Sequence, residues 1–303
     1  MLNIPNLIAR RKRQDAVFQA LGIVCTLIGM FTLGALILNL LKDGWPHLHW
    51  TFLTSNASAN PNKAGVLMAL VGTALVVLVT FFTAVPLGVA AAVYLEEYAK
   101  KNWLTDLIEI NISNLAGVPS ISYGLMALWL FRGLLHFKGS TILMGGITLA
   151  ILILPIIIVT TRETLRTIPS TIREAAFACG ATQWQVIRYH LLPYSLGGIA
   201  TGTIIAMSRA IGETAPLLVI GAAGYVSRLP PSPVTSQFPF VSLAWLHSSY
   251  SVLPMQMYRW TSEAEAEFHQ LAATTGLVLI ALTLALNSLA IYVRYRVRRK
   301  LKW

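Results

Sequence analysis

One arginine stands well inside a long apolar run. Arg209 lies between Ile204-Ile205-Ala206 and Ala210-Ile211, where a charge costs about 2.5–3.5 kcal/mol on insertion scales and so faces a cavity or a partner. Its planar fork of donors suits an oxyanion. Glu213 follows four residues later, on the same helical face, and can pair with it. Such a pair either neutralises two buried charges and locks helices together, or lines a path in which the carboxylate positions the guanidinium. Ser208 and Thr214 flank the pair as weaker candidates, since these hydroxyls often bond their own helix backbone. Upstream, Gly117-Val118-Pro119-Ser120 interrupts another apolar run. Proline removes a helix bond and glycine permits an irregular turn, which would present backbone amides and the Ser120 and Ser122 hydroxyls to a passage or simply kink a helix.

A second group of informative residues lies in the polar segment from Thr161 to Pro193. Thr171 with Glu174 spells a capping box that starts a short helix through Ala175 and Ala176. Gly180, followed by Ala181, suits the left-handed residue that ends it. Thr182 with Gln185 spells a second box and a second short helix, which Pro193 closes. Capping alone accounts for Glu174 and Gly180 taken singly. It does not account for a compact helix-turn-helix between apolar spans, with small residues that permit close backbone approach.

The elements that position these residues are membrane spans. Hydrophobic residues make up 55% of the 303 and charged residues 12%, with a mean hydropathy of +0.65, against about a quarter charged in soluble domains. Six runs reach the roughly 20 residues a spanning helix needs: Ala16 to Leu41, Gly65 to Leu95, Ile112 to Leu135, Thr141 to Thr160, Tyr194 to Gly224 and Phe268 to Val293. The first is too long for a signal core and lacks a small-residue cleavage site, so it reads as a retained span. Most of the 23 Lys and Arg, including Arg10 to Arg13, Arg162, Arg166, Arg173 and the run from Arg294 to Lys302, fall on one side if both termini are inside. The net charge of +11 then reflects topology and anionic lipid, not nucleic acid. Cys25 and Cys179 make no disulfide framework, and the six histidines have no metal-ligand spacing. The proline-rich stretch at 226–250 belongs outside, as a lid, a docking surface or a plain connector.

Glu174-Ala-Ala, three residues, Gly180-Ala181, then Leu192-Pro193 resembles the loop by which permease subunits of ABC importers engage their ATPase. Pro86 to Ala99, Asn114 to Gly124 and Arg209-Ala-Ile-Gly-Glu-Thr-Ala-Pro-Leu-Leu218 resemble the permeases of the phosphate-specific importer, and the Ala-Pro-Leu-Leu ending resembles its A-type subunit. The resemblance covers nearly the whole chain from Gly65 onward. It implies an all-α membrane protein of about six transmembrane helices with the type I ABC importer permease fold and both termini cytoplasmic. Residues 1–64 would hold the N-terminus, the first span and a periplasmic loop, and 65–303 the permease domain with coupling helices at 170–192. Glu174, Ala175, Ala176, Gly180 and Ala181 would couple to the ATPase.

The same resemblance implies the partners: a paralogous C-type permease, two ATP-binding cassette subunits and a periplasmic phosphate-binding protein, in a bacterial inner membrane. No G-x-x-x-x-G-K-[ST] loop is present, so ATP and Mg are expected on the partner subunits and no cofactor on this chain. Inorganic phosphate would be the cargo. A permease for molybdate, sulfate or an amino acid, and a passive anion channel, are the rival readings. A membrane-embedded enzyme has no nucleophile elbow or H-E-x-x-H helix to support it.

Overall fold

The computed structural model describes residues 4–137, 139–222, 226, 228–232 and 242–300. Apolar sequence in a solvent without water must satisfy its backbone within the segment, so the spans are helices. In chain order these are α1 (Ile4–Gly44), the short α2 (Trp50–Thr54), α3 (Leu67–Val93), α4 (Trp103–Leu115), α5 (Ser120–Leu128), α6 (Ile142–Arg166), α7 (Ser170–Ala178), α8 (Gln183–Val186), α9 (Leu192–Gly212), α10 (Ala215–Val219), α11 (Leu253–Thr261) and α12 (Ala266–Lys300). Three of them continue through single π-turns: α3 through Tyr94–Tyr98, α5 through Trp129–Leu134, and α8 through Ile187–Leu191 into α9. Among the described residues five helices are long and apolar enough to cross a membrane, and the α4–α5 pair makes up to a sixth. Six crossings put both termini on the side of the α7–α8 segment, which the distribution of Lys and Arg makes cytoplasmic.

Three expectations about the spans change. The run from Ile112 to Leu135 is not one helix, because α4 and α5 meet at 107° across Gly117-Val118-Pro119. The run ending at Gly224 stops at Gly212, where Glu213 turns to an extended conformation before α10 begins; Gly224 itself lies outside the described residues. Pro193 does not close a helix. The π-turn at Ile187–Leu191 spaces the backbone so that the proline sits in the first turn of α9, where its missing N–H is tolerated, and α8 runs unbroken into the span.

The core lies between α3, α6 and α9. Glycines let these helices approach closely: a Cβ on Gly146 would run into Val79, on Gly202 into Thr160, and on Gly198 into Thr164. Thr80 crosses the contact, its hydroxyl donating to the Gly146 carbonyl at 3.1 Å. On the outer side, Tyr250 and Trp245 are buried against this core, so the end of the 226–250 stretch is packed structure. Much of the remainder of that stretch, 233–241 included, lies outside the described residues. By contrast α1 exposes apolar side chains on all faces and touches the rest near its outer end, where Thr274 donates to the Gly44 carbonyl at 3.0 Å.

Candidate functional site

The contacts of Gly198 with Thr164 and Gly202 with Thr160 fix the register of antiparallel α9 on α6. The same register sets Arg209 level with about Ile153, near the middle of the 25-residue α6, and so near mid-depth in a bilayer. There Arg209 Nε donates to Glu213 Oε1 at 3.3 Å. Among the described residues the two terminal guanidinium nitrogens carry no hydrogen bond, which leaves most of the five donors free. The Arg209 side chain is 42% exposed and that of Glu213 17%, so the pair opens to a side that this chain does not cover.

The break after Gly212 brings α10 against α5, where a Cβ on Gly124 would meet the Pro216 backbone. Tyr123 of α5, its phenol donating to the Leu115 carbonyl at 2.7 Å, lies within reach of the Arg209 charge. Ser120 and Ser122 are half-buried in the first turn of α5, three residues before Tyr123 and next to it respectively, and Thr214 is half-buried beside Glu213. Ser208 is different. Its hydroxyl lies 2.7 Å from the Ile204 carbonyl and 2.8 Å from the side-chain amide of Asn287, so it knits α9 to α12.

The cytoplasmic hook comprises α7 and α8. Thr171 and Glu174 form no capping box, because α7 begins at Ser170 after Pro169 and no side chain caps it; both therefore lie inside the helix. The Thr182–Gln185 box is present in full, and Gly180 has a φ of +81°. Ala176 faces inward against Leu165, Ile168 and Val186. Glu174, Ala175 and Gly180 are exposed, as are Phe177 and Trp184, so the hook presents a small-residue and aromatic face to the cytoplasm.

What holds the hook to the membrane domain is a set of ion pairs. Arg173 Nη2 donates to Glu97 Oε1 at 2.7 Å, while its nitrogens also reach the Ile168 and Leu165 carbonyls at 2.9 and 3.2 Å. Glu97 is on the π-turn that ends α3, and its own carbonyl accepts from Gln183 of α8. The neighbouring Glu96 points elsewhere and accepts from Arg166 Nε at 2.9 Å. Arg162, 7% exposed, donates to both Glu96 and Glu109 and so ties α6 to α3 and α4. Glu96, Glu97 and Glu109 are not distinguishable in sequence, since their partners lie 53 to 76 positions away. Their acidity alone does not single them out, since Asp106, Glu163 and Glu174 lie in the same inner segments.

Residues 84–302 match the model of a family described as the binding-protein-dependent transport system inner membrane component. The chain is 30% identical over 279 residues to the phosphate transport system permease protein PstA of Haemophilus influenzae, covering 91% of this chain and 92% of that protein. It is 32% identical over 252 residues to the PstC permease of Mesorhizobium japonicum, covering 73% of this chain and 76% of that one. A subunit of a bacterial alginate ABC transporter, solved with an alginate-bound periplasmic protein, shares the fold with a TM-score of 0.66 at 12% identity over 94% of this chain and 96% of that one. The chain therefore belongs to the binding-protein-dependent transport system inner membrane components, among the permease proteins of phosphate transport systems.

Proposed function

We propose that this chain is the A-type permease of an ATP-driven importer that carries inorganic phosphate across a bacterial inner membrane. The observation that carries the reading is the mid-depth Arg209, whose terminal nitrogens are free beside Glu213. A phosphate anion leaving water needs a fixed cation and donors to replace its hydration, and a guanidinium offers both in bidentate form. Glu213 holds the group in position when the path is empty and repels the anion when the arginine is engaged elsewhere, so the pair acts as a gate. Ser120, Ser122 and Thr214 supply further hydroxyls on the α5 and α10 side. Relatedness to PstA over nine-tenths of the chain supports this cargo over molybdate, sulfate or an amino acid.

The partners in this reading are a C-type permease, two ATPase subunits that bind ATP and Mg, and a periplasmic phosphate-binding protein. The exposed face of Glu174, Ala175, Phe177, Gly180 and Trp184, with half-buried Ala181 beside it, enters a cleft of one ATPase. Closure of the ATPase dimer on ATP draws the hook with it. Because α8 continues into α9, that displacement reaches Arg209 through a helix, and hydrolysis returns it. The hook must bind the two ATPase states differently, since equal binding shifts nothing.

Reconstitution with these subunits in liposomes tests the proposal by recording phosphate uptake and phosphate-stimulated ATP hydrolysis together. Excess sulfate and molybdate should leave uptake unchanged, and Arg209→Gln should abolish it while the complex still assembles. Normal uptake by assembled Arg209→Gln would remove the assignment. Phosphate flux without nucleotide would instead make the protein a channel.

A further inference from the structure

A groove of about 830 Å³ runs between α3, α9 and α12, and the transport reading does not use it. It is walled by Val77, Phe81, Met207, Ile211 and Leu286, among others, and no carboxylate lines it. On α9 the wall includes Met207 and Ile211, each two positions from Arg209 and so about 200° round the helix. The groove is thus on the opposite side of α9 from the gate. Its cytoplasmic end is formed by Tyr194 and Arg294. Arg294 Nη1 donates to the Thr201 hydroxyl at 2.6 Å, and among the described residues this cation has no carboxylate partner. Two residues deeper along α9, the Thr203 hydroxyl is buried with no hydrogen-bond partner among the described residues. Arg296 sits on the same helix end as Arg294 and lies over the Tyr292 ring at 5.8 Å.

We infer that this groove is a binding site for an anionic glycerophospholipid of the inner leaflet, with an acyl chain along the α3–α9–α12 walls and the headgroup phosphate on Arg294. Three features select this occupant. The walls are apolar and the single fixed charge is positive, which matches a lipid with a negative head and not a free anion. The charge is at the cytoplasmic end, where inner-leaflet phosphates lie, and Tyr194 beside it is the amphipathic residue expected at that depth. The α9 wall from Pro193 to Ile211 is about 27 Å long, more than the roughly 15 Å of one leaflet's hydrocarbon.

The intact membrane complex, extracted in mild detergent, delipidated and exposed to equimolar phosphatidylglycerol and phosphatidylethanolamine, reports the site by native mass spectrometry. The expected result is preferential retention of phosphatidylglycerol, reduced about fivefold by Arg294→Gln, the worth of one cation near an anionic headgroup, and preserved by Arg294→Lys. A Cβ at Gly197 meets nothing within 4 Å, so Gly197→Phe should fill the groove and displace both lipids. An unchanged retention ratio in Arg294→Gln would overturn the inference. So would displacement of the lipid by excess inorganic phosphate, which would make the site one for the free ion. Cross-linking of Gly197→Cys to the other permease chain, in a background without Cys25 and Cys179, would give the groove to a partner helix and equally end the lipid assignment.

Discussion

Replacing Arg173 with Met should release the cytoplasmic hook from the membrane domain by a calculable amount. The side chains of Arg173 and Glu97 are 21% and 10% exposed, so removing the guanidinium strands a carboxylate that is nine-tenths buried and has no second cation among the described residues. Breaking a buried pair in this way costs about 3–5 kcal/mol. The Ile168 carbonyl loses its arginine donor as well, whereas the Leu165 carbonyl keeps the Ile168 amide. Removing both partners, as in Arg173→Met with Glu97→Leu, leaves no stranded charge and should cost far less. The interaction energy of the cycle is then about 3 kcal/mol, or roughly a hundredfold in the hook's opening equilibrium. Amide hydrogen exchange across Ser170–Ala178 measures that opening directly. Arg173→Met should accelerate exchange there by about two decades, and the double variant should recover most of it. Equal exchange in the single and double variants, or no acceleration in either, would show that the ion pair does not hold the hook.

Other perturbations act through single mechanisms. Gly180→Val places a branched side chain at φ +81° with nothing within 4 Å to clash, so its cost of about 1–2 kcal/mol is purely backbone strain; exchange of the α7–α8 turn should rise, and Gly180→Asn should restore most of it. Thr182→Ala removes the capping box and should weaken the start of α8 by about 1 kcal/mol, seen as faster exchange confined to that turn. Gly202→Ala drives a methyl into Thr160 and should lower the thermal midpoint by an overpacking cost of about 1–3 kcal/mol, with Thr160→Ala as the rescuing second change. If Gly202→Ala alone leaves the midpoint unchanged, α6 and α9 are not in the close contact described.

The spans and the hook were legible because they depend on local chemistry. A run of some 20 apolar residues commits to a helix whatever surrounds it, and Gly180 and the Thr182–Gln185 box set their own turn. Arg209 and Glu213 were legible for the same reason: four residues apart across the end of one helix, they meet without help from the fold. Hydropathy carries no direction, however, and so it fused α4 and α5, whose axes meet at 107°. Pro193 read as a stop because a proline inside a helix normally is one, and only the π-turn before it provides the spacing that lets α8 run on. Thr171 with Glu174 fitted a box by spacing, but the helix starts at Ser170, two residues before the Ile172 that the box requires, and Pro169 takes the N-cap position. Ser208 found Asn287 79 positions away, and Arg162 found Glu96 and Glu109. No local pattern encodes such pairs, because they exist only once the helices are docked.

The continuity of α8 and α9 bears on how a push at the surface can reach the middle of the bilayer. Leu192 and Arg209 are about 25 Å apart along one helix, joined to the hook by a π-turn and not by a flexible loop. A rigid rod moves both its ends, but movement alone does not open an ion pair within that rod. Opening needs something beside Arg209 that does not follow α9. Glu213 is suited to be that element, because it has left the helical conformation (φ −78°, ψ 123°) and leads into α10, which is packed on α5. α5 is in turn continuous across the Gly117–Pro119 bend with α4, and α4 is tied to α6 and α3 by Glu109, Arg162 and Arg166. Arginine and glutamate therefore sit on two segments that diverge after Gly212: α9, which leads back to the hook, and the stretch from Glu213 into α10, which leads to α5. On the transport reading proposed above, sliding of those segments by an ångström or two lengthens the 3.3 Å contact beyond hydrogen-bonding range and leaves the guanidinium to take an anion in the carboxylate's place.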